Sequence, residues 1–140
     1  MIDKTLITRK INLISEDFKA LESLSKLSYE DYMANQANEV MAERYLERMI
    51  GRMIDINYHL ITEEEHPPPS DYFKSFLDLA KVGVLPPDFA RQIAPCAGLR
   101  NRIVHEYDEI DPKKIYDGLQ AAVKYVPRFL KYVSEFLDRI

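Results

Sequence analysis

The feature that most limits how this chain can fold is the spacing of its apolar residues, which steps alternately by four and three over most of its length. Ile7, Ile11, Ile14, Phe18 and Leu21 follow that rhythm, continued by Leu24 and Leu27. Ala42, Leu46, Met49, Met53, Ile56 and Leu60 repeat it, with Tyr45 broadening the face. Ile115, Leu119, Ala122, Val126, Phe129, Val133, Phe136 and Ile140 hold it to the last residue. A step of four and three keeps side chains on one stripe of a helix with 3.6 residues per turn, so each run reads as an amphipathic helix with one face to bury.

The residues that interrupt helices are few and grouped, with four glycines and eight prolines in 140 residues. Ser28-Tyr29-Glu30-Asp31 reads as a break and restart, and the longest helix is predicted from Tyr32 to Thr62. Glu63-Glu64-Glu65-His66-Pro67-Pro68-Pro69-Ser70 ends it, because a proline lacks a donor and disfavours helix in the residue before it. Ser70 or Asp71 then caps a short helix through Tyr72, Phe76, Leu77 and Leu79, with Gly83 as its stop. Pro86-Pro87-Asp88 opens a helix whose stripe is Phe89, Ile93, Cys96, position 100, Ile103 and Tyr107. Asp111-Pro112 is an N-cap with proline at the first helical position, and Pro127 inside the last helix predicts a kink. No period-two alternation and no Asn-Gly or Asp-Gly turn appears. The expected fold is all-α: an antiparallel, up-and-down four-helix bundle with one additional short helix, in a single domain over residues 1–140.

Composition narrows the function classes. With 46% hydrophobic and 30% charged residues the chain reads as globular, and no apolar run reaches the ~18 residues of a membrane span. Met1-Ile2-Asp3-Lys4-Thr5 has no basic segment followed by an apolar stretch, so a cytoplasmic location and no membrane association are expected. One cysteine, Cys96, excludes an internal disulfide framework and a cysteine-based zinc cage. A net charge of −4 argues against nucleic-acid binding over the whole surface but leaves room for a local basic cleft.

The pattern fails at one informative place. Position 100 belongs to an apolar stripe, and it is Arg100. A guanidinium keeps its charge, so on a buried face it needs water or a partner, and Glu43 or Asp55 is the structural candidate. Within two helical turns of it lie Asn101, Arg102, His105 and Tyr107. Imidazole suits proton transfer near neutral pH, and a guanidinium suits a phosphate whose charge grows in a transition state. Without a metal cage, the pair fits attack of a ribose hydroxyl on the adjacent phosphodiester. A helical histidine with no role beyond one hydrogen bond fits the same residues.

The segment Arg100-Asn101-x-x-x-His105-x-Tyr107 resembles the R-x4-H-x-Y motif of HEPN-domain toxins of the HepT type. Glu43-Arg44-Tyr45-Leu46, Met53-Ile54-Asp55-Ile56, Leu99-Arg100-Asn101 and His105-Glu106-Tyr107 followed by Asp111-Pro112 extend the resemblance in the same order. It implies an all-helical homodimer whose two motifs face each other across one cleft, acting as a metal-independent endoribonuclease in a toxin–antitoxin pair. The implied partner is a small MNT-type nucleotidyltransferase antitoxin that silences the toxin by adding AMP to the motif tyrosine. On this chain the resemblance makes Arg100 and His105 catalytic, with Asn101 assisting, and Tyr107 the modified residue. Arg102 of both chains adds positive charge for RNA. No metal and no cofactor is implied.

Other candidates are weaker. His59 and His66 flank Glu63 to Glu65 without a metal-ligand spacing, so a solvated acidic helix end is the simpler reading. Cys96 reads as a small core residue, and Glu106, Asp108 and Glu109 as surface charge. Two further classes stay open: a HEPN bundle that binds nucleotide or scaffolds a nucleotidyltransferase without cleaving RNA, and a histidine phosphotransfer module. The second gives Arg100 no task.

Overall fold

The computed structural model describes residues 1–106 and 108–140, and over these the chain is all-α. The helices are α1 (Lys4–Ser25), α2 (Tyr29–Ala34), α3 (Gln36–Glu63), α4 (Tyr72–Lys81), α5 (Pro87–Ile93), α6 (Cys96–His105) and α7 (Pro112–Arg139). No helix among the described residues is long and apolar enough to cross a membrane.

Most helix starts follow from a short polar side chain that accepts a bond from an otherwise orphaned backbone N–H. Asp3 accepts from Leu6 N at 3.0 Å, Ser28 from Asp31 N at 3.1 Å and Asn35 from Ala37 N at 3.0 Å. Asp71, rather than Ser70, caps α4 by accepting from Lys74 N at 2.7 Å, and Asp111 caps α7 through Lys113 N at 2.9 Å. Gly83 follows the end of α4 at φ +82°, a left-handed conformation that costs a glycine nothing.

The long helices α1, α3 and α7 pack on one another, and α3 also receives α4 and α6. The predicted stripes face inward: Ile7, Ile14 and Leu21 from α1, Met49, Met53 and Ile56 from α3, and Ile115, Leu119, Phe129 and Val133 from α7. The rings of Phe76 and Phe129 meet edge to face at 5.9 Å, joining α4 to α7 through the middle of the core.

Two predicted helices are each divided, so four long helices and a short one become seven helices among the described residues. The expected break and restart at Ser28 is present, with α1 ending at Ser25 and Ser28 capping α2. A further break follows at Asn35, which is extended at φ −131° and ψ 112°, ends α2 and caps α3 by its own side chain. The second division is at Ala94-Pro95. There Ala97 N bonds to Ala94 O at 3.1 Å and Gly98 N to Pro95 O at 3.1 Å, the tighter i to i+3 pattern. That pattern winds at about 3.0 residues per turn and so rotates everything after it. The buried residues of α6 are consequently Ala97, Leu99 and Ile103, while Cys96 and Arg100 are only half-buried. The helix ends at His105. Pro127 does not stop α7, which runs through it with the ring on the exposed side.

Candidate active site

Helix α6 is held down by its apolar side. Leu99 reaches so close to α7 that a Cβ on Gly118 would stand 2.3 Å from its Cδ2, so the bare backbone of Gly118 is what admits the leucine. With Ala97 and Ile103 also buried, the rotation of α6 is fixed, and its other positions are assigned by 100° steps.

Asn101 and His105, four residues apart, both face solvent at the C-terminal end of α6. Arg102 is exposed as well, one turn before His105, and its carbonyl accepts the N–H of Glu106 at 2.8 Å to close the helix. Arg100 takes a different course. It is half-buried, and its guanidinium carbon lies 5.4 Å from the centre of the Tyr72 ring. A cation over an aromatic face is attracted by the ring quadrupole, which answers part of the problem posed by a charge on this face. Its Nε is buried and makes no hydrogen bond among the described residues.

The surroundings of Arg100 form a pocket of about 310 Å³ lined by Gly51, Ile54, Asp55, Tyr58 and Tyr72. The structure pairs neither Asp55 nor Glu43 with Arg100 among the described residues. Asp55 is instead held by Lys10 at 3.2 Å. Burial, with a contribution from Glu39, raises the Glu43 carboxyl above its usual range. Burial likewise raises the Tyr58 phenol, helped by its neighbour Tyr72, whose ring it meets edge-on at 6.1 Å.

Tyr72 owes its position to a buried polar link that the sequence did not reveal. Asn57 Nδ2, on α3, donates to Ser75 Oγ at 3.0 Å, and Ser75 Oγ donates to the Tyr72 carbonyl at 2.6 Å. Asn57 and Ser75 are fully buried, so the link ties the start of α4 to α3 beside Arg100. Nothing in residue spacing connects Tyr72 to position 100; the contact exists only through the packing of α4 and α6.

The site residues thus divide into an exposed pair, Asn101 and His105, an exposed cation, Arg102, and a half-buried cation stacked on tyrosine, Arg100. Tyr107 lies outside the described residues. His59 and His66 have other occupations: His59 Nε2 accepts the N–H of Asp3 at 2.9 Å, and His66 Nδ1 lies 3.1 Å from the Pro67 carbonyl. No group of three or more His, Cys, Asp or Glu side chains able to hold a metal occurs among the described residues. Burial pushes the Cys96 thiol up, consistent with a packed side chain.

An exposed imidazole with an amide and two guanidiniums within one and a half turns can bind a phosphate and move a proton next to it. Comparison with known proteins agrees with that chemistry. The family described as "Ribonuclease HepT-like" matches residues 14–133. A tRNA nuclease HepT from Aphanizomenon flos-aquae is 32% identical over 136 residues, 97% of this chain and 92% of that protein. Among solved structures, the tri-AMPylated Shewanella oneidensis HEPN toxin in complex with MNT antitoxin superposes with a TM-score of 0.81 at 20% identity, covering 95% of this chain and 99% of that one. The cytosolic protein YutE of Bacillus subtilis, of unknown function, superposes with a TM-score of 0.86 at 15% identity, covering 99% and 92%. The likeness to the HEPN toxin extends the all-α HEPN fold over 95% of the chain. On the strength of the matched residues and the tRNA nuclease relative, this chain belongs to the HepT-like ribonuclease family.

Proposed function

We propose that this ribonuclease is the toxin of a toxin–antitoxin pair and that it cleaves RNA without a metal, at a site completed by a second copy of the chain. The observation that carries the reading is the exposure of His105 and Asn101 on one face at the end of α6, with Arg100 half-buried on the same helix. His105 takes the proton of a ribose 2′-OH. The freed oxygen attacks the adjacent phosphorus, the bond to the 5′-oxygen breaks, and a 2′,3′-cyclic phosphate remains. A protonated His105 from the second copy gives its proton to the leaving oxygen, so one histidine per chain suffices for both acid and base. Arg100 and Asn101 bind the phosphate oxygens as charge accumulates on them, and Arg102 contacts a neighbouring phosphate.

Five residues along a helix separate two side chains by roughly 140° about its axis, so Arg100 and His105 of one chain are not aimed at one point. A facing copy brings the missing angle, which supports the composite site. The described relatives guide the rest: a tRNA nuclease for the substrate class, and an MNT antitoxin for the partner. AMP added by such a nucleotidyltransferase at Tyr107, two residues beyond His105, brings bulk and a phosphate that competes with RNA for the arginines.

The test is an RNA that the purified protein cuts, resynthesised with a single 2′-deoxy nucleotide on the 5′ side of the cut. The expected result is loss of that cut only, and cyclic phosphate ends on the parent products. Cleavage of the deoxy RNA at the parent rate overturns the mechanism.

A further inference from the structure

Away from the Arg100 pocket, a second cavity of about 410 Å³ opens between α3, the turn joining α5 to α6, and α7. Its floor is apolar, from Ile50, Met53 and Leu99, and its size falls in the range of ~300 to 1,000 Å³ typical of ligand pockets. Its rim is charged. Arg102 and Lys114 line it, both exposed, together with Asp117. Lys113 Nζ holds one Asp117 oxygen at 2.8 Å and offsets its charge, and among the described residues neither Arg102 nor Lys114 is in a salt bridge, so both can meet an anion. Gln92, on α5, adds an exposed amide that can both donate and accept.

An apolar floor with two cations at the mouth matches a nucleotide: a flat base to bury and phosphates to hold. The place matches too, because Arg102 belongs to the cavity wall and lies one helical turn before His105. We infer that this cavity receives one unstacked base of the RNA substrate next to the cut, with its phosphates on Arg102 and Lys114 and its edge against Gln92. The inference deepens the ribonuclease reading and rests on it for the identity of the strand. An amide both donates and accepts, so it pairs bidentately with a base edge that sets a donor beside an acceptor, as adenine N6 and N7 do, and Gln92 is the position where base preference is set. Ala121 also lines the cavity and is exposed on α7, so a large side chain there fills the cavity without entering the core.

The experiment uses the full chain in whatever assembly it forms, with an RNA oligonucleotide that it cuts and with 5′-AMP, 5′-GMP, 5′-CMP and 5′-UMP as separate probes. Ala121→Phe, checked for an unchanged melting temperature and sedimentation coefficient, is expected to raise KM about tenfold with kcat nearly constant, the pattern of lost binding that does not change between ground and transition states. Gln92→Ala is expected to flatten the preference among four RNAs differing only in the base next to the cut. At least one mononucleotide is expected to shift amide resonances of residues 92, 114 and 121 in wild type and not in Ala121→Phe. A wild-type KM in Ala121→Phe overturns the inference. An altered sedimentation coefficient in Ala121→Phe with a wild-type KM does so too, and assigns the cavity to an interface between copies. If the wild-type chain cuts no RNA, the catalytic reading fails, and the mononucleotide titration alone decides the cavity: binding lost in Ala121→Phe upholds it and no binding overturns it.

Discussion

Outside the site, Asp17 joins two helices through a pair of ion pairs. It is buried on α1, and its two oxygens hold Arg48 at 3.2 Å and Arg52 at 2.9 Å, binding α1 to α3. Replacing Asp17 by Ala leaves two guanidiniums without their acceptor. Both are partly exposed and can turn toward water, so the expected loss is about 1–3 kcal/mol, read from the urea midpoint. Cys96 makes a second prediction at this scale. Burial holds its proton on, so the native thiol should react with iodoacetamide at pH 8 more slowly than free cysteine, with a rate still climbing above pH 9. The native state binds that proton more tightly than the unfolded chain. Its contribution to stability is therefore fully present below the unfolded thiol value of about 8.5 and declines as pH rises past it, an effect Cys96→Ala should remove. Arg100 shows how far sequence reaches at this scale. A cation on an apolar stripe announced itself from position alone, but its partner did not: the expected carboxylates Glu43 and Asp55 gave way to Tyr72, set by the Asn57–Ser75 link that no local pattern encodes.

Among elements, the apolar rhythm located α1, the long α3 and α7 because one stripe per helix is all the core requires of them. It missed the divisions at Asn35 and Ala94-Pro95 for different reasons. Asn35 carries no proline or glycine signal, and only its side-chain cap reveals the break. At Pro95 the apolar spacing runs on through Ile93 and Cys96, so periodicity masked a turn whose tighter winding then moved the buried face from Arg100 to Leu99. That shift leaves Arg100 half-buried at the edge of the core, as its proposed role in binding phosphate requires. Pro127 shows the converse, an interruption that the helix absorbs. The proline removes one ladder bond from α7 on its exposed side, so Pro127→Ala is expected to stabilise the protein by about 1–3 kcal/mol, seen as a higher melting temperature with cleavage activity unchanged.

For the whole molecule, a net charge of −4 and a nucleic-acid substrate are reconciled by distribution. Arg100, Arg102 and Lys114 lie on or beside α6, while the carboxylates that line the same two cavities are answered by lysines, Asp55 by Lys10 and Asp117 by Lys113. In the proposed site two copies facing through α6 would double that local charge, so RNA affinity is expected to fall steeply with salt even though the protein is acidic. The central claim is that His105 moves the protons of this reaction unaided by metal. It is tested most directly by the initial rate of RNA cleavage in excess chelator, wild type against His105→Ala, with dimerisation and melting temperature matched. Removing a general acid and base at both copies should slow cleavage by about 10²- to 10⁴-fold while RNA binding persists. Equal rates for the two proteins, or no wild-type cleavage until a divalent metal is restored, would contradict it.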